Sequence, residues 1–231
     1  MTSKNQMGTY YIDVVMCIDV SGGMIPFVYE LKYNIESFYN KFVEAMDDRG
    51  ACFDQLRVKF ICFRDYRWDD EPILETPFYT LPEQHKQLNE FVQTIEAKGG
   101  GDSPENALEA IALALKSNWT VDGAKKRHVV AVFSDAPAVP LGECSHSPNY
   151  PLDMPKDLAQ LHEWWEGTDQ TLGSTYRPRS GRLVAFVPNT DPWYDLETWN
   201  MCLPTFVPAC SGLSNVDFQS VVDVIVDSFS M

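Results

Sequence analysis

Two hydrophobic periods alternate along the chain, and each marks a different kind of element. Tyr10 to Ile18 is dense in Val, Ile and Tyr, as a strand buried on both faces should be. From Pro26 onward the apolar positions are Phe27, Leu31, Ile35, Phe38, Phe42 and Met46. That spacing of three or four predicts one long amphipathic helix, with Pro26 in its first turn. LRVKFICF (56–63) predicts a second strand, and 73-ILETPFYTL-81 a shorter run whose Pro77 suits an edge position. Residues 84–97 predict a helix that ends at 99-GGGD-102. The stretch 103-SPENALEAIALALKSN-118 predicts another, with Ser103 as its cap, Pro104 in its first turn, and Leu108, Ile111, Ala112 and Leu115 facing inward.

The second half repeats the scheme. Strand 128-HVVAVFSD-135 leads into a long Pro-rich loop, Ala136 to Pro151, followed by a helix from about Pro155 to Glu166. Strand 182-RLVAFVP-188, a short helix around 192-PWYDLETW-199 and strand TFVPA (205–209) come next. A last helix holds Phe218, Val221, Val222, Ile225 and Phe229 in register. Strands alternating with helices predict an α/β fold: a three-layer, doubly wound, mainly parallel sheet with one short antiparallel edge strand and helices on both faces.

Composition narrows the function classes. The 231 residues are 45% apolar, enough for a sizeable core, and no Ser/Gly- or Pro-rich linker divides them, so one domain over residues 1–231 is expected. Eighteen basic residues against 33 acidic ones leave a formal charge of −15, which repels a phosphate backbone and an anionic membrane surface. Neither nucleic acid nor membrane is an expected partner. The start, MTSKNQMGTYYID, lacks a signal-peptide pattern, and no apolar run approaches the ~20 residues of a membrane span. A soluble, cytoplasmic protein is expected. Of the six cysteines, Cys17 and Cys62 lie in apolar runs and read as small hydrophobes. A zinc site would need Cys144, His146, Cys202 and Cys210 to converge, yet Cys202 and Cys210 flank an extended segment that spans about 20 Å.

The candidate chemistry lies where strands end. In parallel sheets ligands bind at the carboxyl ends of the strands, and there the first strand ends in 19-DVSGG-23 and the fourth in 133-FSDAP-137. Asp19 and Ser21 present a carboxylate and a hydroxyl at the rim, glycines let the backbone turn closely, and Asp135 adds a second carboxylate. The loop 99-GGGDSPE-105 contributes a third acid, Asp102, at a predicted helix start. Carboxylate and hydroxyl oxygens without histidine or thiolate suit a hard cation such as Mg²⁺ or Mn²⁺.

Taken together, Asp-x-Ser-Gly-Gly, 99-GGGDSPENAL-108 and Asp135 resemble the metal-ion-dependent adhesion site of von Willebrand factor type A domains. Support comes from 60-FICFRDY-66 and from LKSNW (115–119) before 127-RHVVAVFSDAP-137, both familiar from intracellular and bacterial members; the likeness runs from about Tyr11 to Ser228. The resemblance implies Asp19 and Ser21 as the first two ligands, Asp135 as the last, and Mg²⁺, or else Mn²⁺ or Ca²⁺, as the ion. Two positions depart from the family. Gly23 stands where it usually has serine, and Asp102 where many members have threonine. Three carboxylates against a divalent ion leave the site negative, so it should hold its own metal firmly and welcome a partner's acidic residue less.

The resemblance implies a non-enzymatic protein-interaction module, in bacteria often encoded with kinases, phosphatases or AAA-type ATPases in signalling, stress or defence modules. Two alternatives stand beside it: a scaffold with a vestigial metal site that binds through its helices or the 64–75 and 136–151 loops, and a Mg²⁺-dependent phosphatase. For the last, Lys98 is the one lysine close to the site, and it is a poor candidate. Asp102 also reads as an N-cap for the helix at Pro104, and Ser21 as a turn residue. A phosphate loop is excluded because no Gly-Lys-Ser/Thr follows the triple glycine. The segment 64-RDYRWDD-70 reads as a protein contact or a solvated turn, and the tryptophans and His128 as structure.

Overall fold

A computed structural model describes residues 9–101 and 103–231. Seven strands form one sheet: β1 (Tyr10–Asp19), β2 (Phe53–Phe63), β3 (Ile73–Glu75), β4 (Tyr79–Leu81), β5 (Lys125–Phe133), β6 (Gly181–Pro188) and β7 (Cys202–Val207). Their order is β3-β2-β1-β5-β6-β7, with β4 also on β2. β1, β2, β5, β6 and β7 are mutually parallel, so all five end at one rim. The sheet is α/β and doubly wound, as the alternation of periods predicts.

Among the described residues six α-helices cover it: α1 (Ile25–Asn34), α2 (Phe38–Asp48), α3 (His85–Thr94), α4 (Ala107–Leu115), α5 (Leu158–Glu166) and α6 (Phe218–Asp227). β1 shows why two layers are needed. Ile12, Val14, Met16 and Ile18 enter one core with residues of α1, α2, α3 and α6, while Val15 and Cys17 enter the other with α4 and α5. None of the described helices is long and apolar enough to cross a membrane.

Several boundaries differ from the sequence reading, each for a tertiary reason. The predicted long helix is a rod tightened at Ile35–Ser37, where the Asn34 amide and Ser37 hydroxyl bond the carbonyls of Glu30 and Asn34 and compete with the helical ladder. The edge strand is two short antiparallel segments rather than one. β3 pairs Ile73 with Phe63, β4 pairs Leu81 with Leu56, and between them Thr76 bonds Phe60 through both its N–H and its hydroxyl. α3 stops at Thr94, not 97, because Ile95 turns extended and the next residues run along the rim. α4 starts at Ala107, so neither Ser103 nor Pro104 opens it: Glu105 is already committed to the loop after β5, through its N–H to Pro137 (3.0 Å) and its carbonyl to Val139 (2.8 Å). The last strand is Cys202–Val207 rather than 205–209, set by its register with β6.

At the opposite end of the sheet, fully buried Asp13 accepts two hydrogen bonds of 2.7 Å from the Arg57 guanidinium and one of 2.6 Å from Thr120 N–H. Removing one partner of such a pair leaves a charge buried alone. Arg57→Ala is expected to destabilise the fold by about 3 kcal/mol, read from the urea midpoint at unchanged slope.

Candidate metal centre

β1 carries Asp19 to the rim, where its side chain is fully buried and held on both oxygens. Ser21 N–H donates to Oδ1 at 2.8 Å, and the Ser134 hydroxyl, at the end of β5, donates to Oδ2 at 2.8 Å. Burial pushes the Asp19 carboxyl up to about 6 against the pull of these bonds, and the nearby charge of Asp135 adds to the rise. Asp135 is itself buried. Its carbonyl accepts from Cys210 N–H at 2.9 Å and its carboxylate from Gly212 N–H at 2.5 Å, so the chain entering α6 wraps the site. A Cβ at Gly23 would stand 3.6 Å from Asp135 Oδ1, an ordinary contact, so the serine of the resembled family has room.

The glycine loop forms the third wall. Gly22 N–H bonds Gly99 carbonyl at 3.2 Å, and Gly100 N–H bonds Asp69 at 3.0 Å. Gly100 has φ +86°, and a Cβ on it would come within 2.6 Å of Ser21 Cβ and collide with Glu105 Oε1. Glycine there leaves room for both the Glu105 carboxyl and Ser21 beside the loop. Glu105 is 4% exposed, and its Oε2 has no hydrogen-bond partner among the described residues. Burial, reinforced by the charges of Asp19, Asp65 and Asp69, pushes it up to about 10. Sequence reasoning missed this residue. Its signal was two acids, Glu105 and Glu109, inside a run otherwise read as an apolar helix.

Asp19, Ser21 and Asp135 are therefore brought together, with Glu105 beside them; Asp102 lies outside the described residues. As the helix starts at Ala107, its N-cap position is Asn106. Among the described residues no group of three His, Cys, Asp or Glu side chains is close enough to hold an ion, and no ion pair includes Asp19, Glu105 or Asp135. The donors still fit a hard cation in kind. They are oxygens only, none forms an ion pair among the described residues although the Arg67 charge reaches Glu105, and Glu105 Oε2 has no hydrogen-bond partner there. Mg²⁺ completes its shell with water when the protein offers few ligands.

The segment 64–70 turns at Tyr66–Trp68 with Arg67, Trp68 and Asp70 exposed, while Asp65 and Tyr66 are buried. Arg64 donates to the carbonyls of Lys98 (2.8 Å), Glu96 (2.8 Å) and Glu71 (3.1 Å), and buried Asp65 accepts from the Arg67 guanidinium, so the segment braces the glycine loop. Lys98 turns its Nζ to Glu96 at 2.8 Å. In the 136–151 loop, Cys144 is buried against Tyr66 and Val139 while His146 is exposed. His128 stacks on Trp119 and bonds Thr120 carbonyl; Trp164, Trp165, Trp193 and Trp199 are core.

No protein-family model matches the chain. It is similar to the alpha-protein kinase vwkA of Dictyostelium discoideum, 23% identical over 158 residues, which make up 68% of this chain and 24% of that protein. Among solved structures it is similar to a von Willebrand factor type A protein from Catenulispora acidiphila, with TM-score 0.54, 14% identity, and coverage of 93% of this chain and 42% of that one. It is also similar to the pilus adhesin SpaC from Lactobacillus rhamnosus GG, with TM-score 0.55, 8% identity, and coverage of 97% and 31%. The chain thus spans a quarter of the curated relative and under half of either solved chain, and at these identities the structural likeness is one of fold.

The buried acids set a pH dependence. Asp19 and Glu105 titrate higher folded than unfolded, so the stability they allow is complete below about pH 4 and is lost as pH rises through 6 and toward 10. Glu109, pushed up to about 7 by burial, acts in the same direction. In chelator the melting temperature is expected to fall between pH 5 and pH 8, and Glu105→Gln to raise it by several degrees at pH 8 but little at pH 5. Thermal denaturation followed by circular dichroism checks both.

Proposed function

We propose that the chain is a non-enzymatic protein-interaction module that holds a divalent cation, Mg²⁺ or Mn²⁺, at the carboxyl ends of β1 and β5. Asp19, Ser21 and Asp135 are its ligands, with Asp102 completing the set. The observation that carries this reading is the pair of buried carboxylates, Asp19 held by the Ser134 hydroxyl and Asp135 next to it in sequence, without an ion-pair partner among the described residues. Buried charge of one sign calls for a counter-ion or a proton. The cation supplies that positive charge. The protein orients Asp19 through Ser21 and Ser134, and Asp135 through Gly212.

The partner is a protein, in a cytoplasmic signalling, stress or defence assembly; a kinase is favoured over a phosphatase or AAA-type ATPase by the similarity to a segment of a protein named as an alpha-protein kinase. Chemistry on substrate is disfavoured. Ser21 faces carboxylates rather than a histidine, and Lys98 pairs with Glu96. The second reading, a scaffold with a vestigial site, draws on Gly23, which offers no hydroxyl.

Calorimetric titration of chelator-stripped protein with Mg²⁺ and Mn²⁺ separates the two. Saturable binding is expected, lost in Asp19→Ala, Asp102→Ala and Asp135→Ala. Ser134→Ala is expected to weaken it about tenfold, the scale on which groups orienting a ligand act, and Gly23→Ser to strengthen it. Binding seen in Gly23→Ser but not in wild type would establish the vestigial reading.

A further inference from the structure

The solvent side of α1 carries an apolar row that the fold does not use. Ile25, Tyr29 and Tyr33 follow one another at four-residue steps, which places them in one stripe, and they are 45, 70 and 85% exposed. Phe27, Val28 and Leu31 bury the helix's other side. Single exposed hydrophobes are ordinary; a contiguous row marks a contact surface, and tyrosine is enriched in such surfaces.

A groove of about 270 Å³ runs beside the row, between Ile25, Tyr29 and Lys32 on α1 and the segment Ile95 to Lys98. Its far wall is fixed. Lys98 N–H bonds Val20 carbonyl at 2.9 Å, and Arg64 holds the carbonyls of Glu96 and Lys98. Over the same wall lies a second depression of about 370 Å³ that reaches Leu74, itself 45% exposed. A preformed groove spares a ligand the cost of ordering it.

Charge identifies what fits. The groove carries Lys32, Lys98 and Glu96, a net positive patch on a chain of formal charge −15. Glu96 is the ion-pair partner of Lys98, whereas Lys32 has no carboxylate within ion-pair distance among the described residues. An apolar channel edged by an ammonium that makes no ion pair among the described residues, though Glu96 shares its field, is complementary to an apolar side chain next to an acidic one.

We infer that this groove docks a short amphipathic segment of a protein partner, an apolar anchor seated against Ile25 and Tyr29 and a neighbouring carboxylate on Lys32. This goes beyond the cation reading and does not depend on it. The test is selection from a displayed library of random peptides of about a dozen residues on the full chain in EDTA, so that failure of the metal site cannot affect it. Affinities of the enriched peptides are then measured by fluorescence polarisation for wild type, Tyr29→Ala, Lys32→Glu and the distant control Tyr194→Ala. The expected peptides pair an apolar residue with Asp or Glu and lose about tenfold or more in affinity for Tyr29→Ala and for Lys32→Glu, but not for Tyr194→Ala. Lys32→Glu changes a half-buried charge at the groove's edge and keeps the test valid if Tyr29→Ala fails to fold. Enriched peptides that lack the acid, that bind all variants alike, or an empty selection would overturn the inference.

Discussion

A carboxylate removed from water must be neutralised, and at the rim of this sheet the protein buries several at once. Asp19 is fully buried at the end of β1, Asp135 is close by after β5, and Glu105 and Ser21 both border Gly100. Removing one such charge from water costs several kcal/mol even after the surroundings relax. No basic side chain among the described residues pairs with any of the three. Protons can supply the neutrality, which is why Asp19 and Glu105 are pushed upward; a hard cation can supply it without giving up the carboxylates. Parallel topology makes the arrangement available, since only strands running the same way deliver their last residues to one edge.

The rest of the rim is built to hold those acids in place. The glycine loop must pass close to Ser21, and positive φ at Gly100 leaves space for the Glu105 carboxyl. That loop has little secondary structure of its own, so Arg64 and Asp69 hold it from the side. Arg64 donates to carbonyls, Val20's among them, rather than to a carboxylate. The chain entering α6 closes the last side through Cys210 and Gly212. Asp19 is braced on both oxygens, whereas Gly212 holds one oxygen of Asp135 and Glu105 Oε2 has no partner among the described residues.

The parts legible in the sequence were those fixed by local periodicity. β1 was readable because an apolar run that ends at an acid has few alternatives to a buried strand, and the same held for β5 ending at Asp135. The stripe Phe27 to Met46 was readable because every member is buried, even across the tightened turn at Ile35–Ser37. What escaped was set by contacts distant in sequence. Glu105 looked like first-turn helix until its backbone was found bonded to Pro137 and Val139. α3 looked longer because Ile95 and Ala97 continue its apolar pattern, yet Arg64 draws that segment to the rim. The break in the edge strand depends on Thr76, whose hydroxyl replaces a ladder bond, and composition alone does not announce it.

The placement of charge also bears on how partners are told apart. Rim acids repel an incoming carboxylate over a screened range of about 8 Å at physiological salt, so an acidic partner residue meets resistance at the rim. Lys32 lies two turns into α1, on a helix that begins just past the rim, and offers the opposite sign. Bulk charge therefore says little about where an acidic segment would settle. A chain of −15 can still accept one at a single preformed groove, provided apolar burial against Ile25 and Tyr29 supplies most of the affinity and the ammonium sets its orientation.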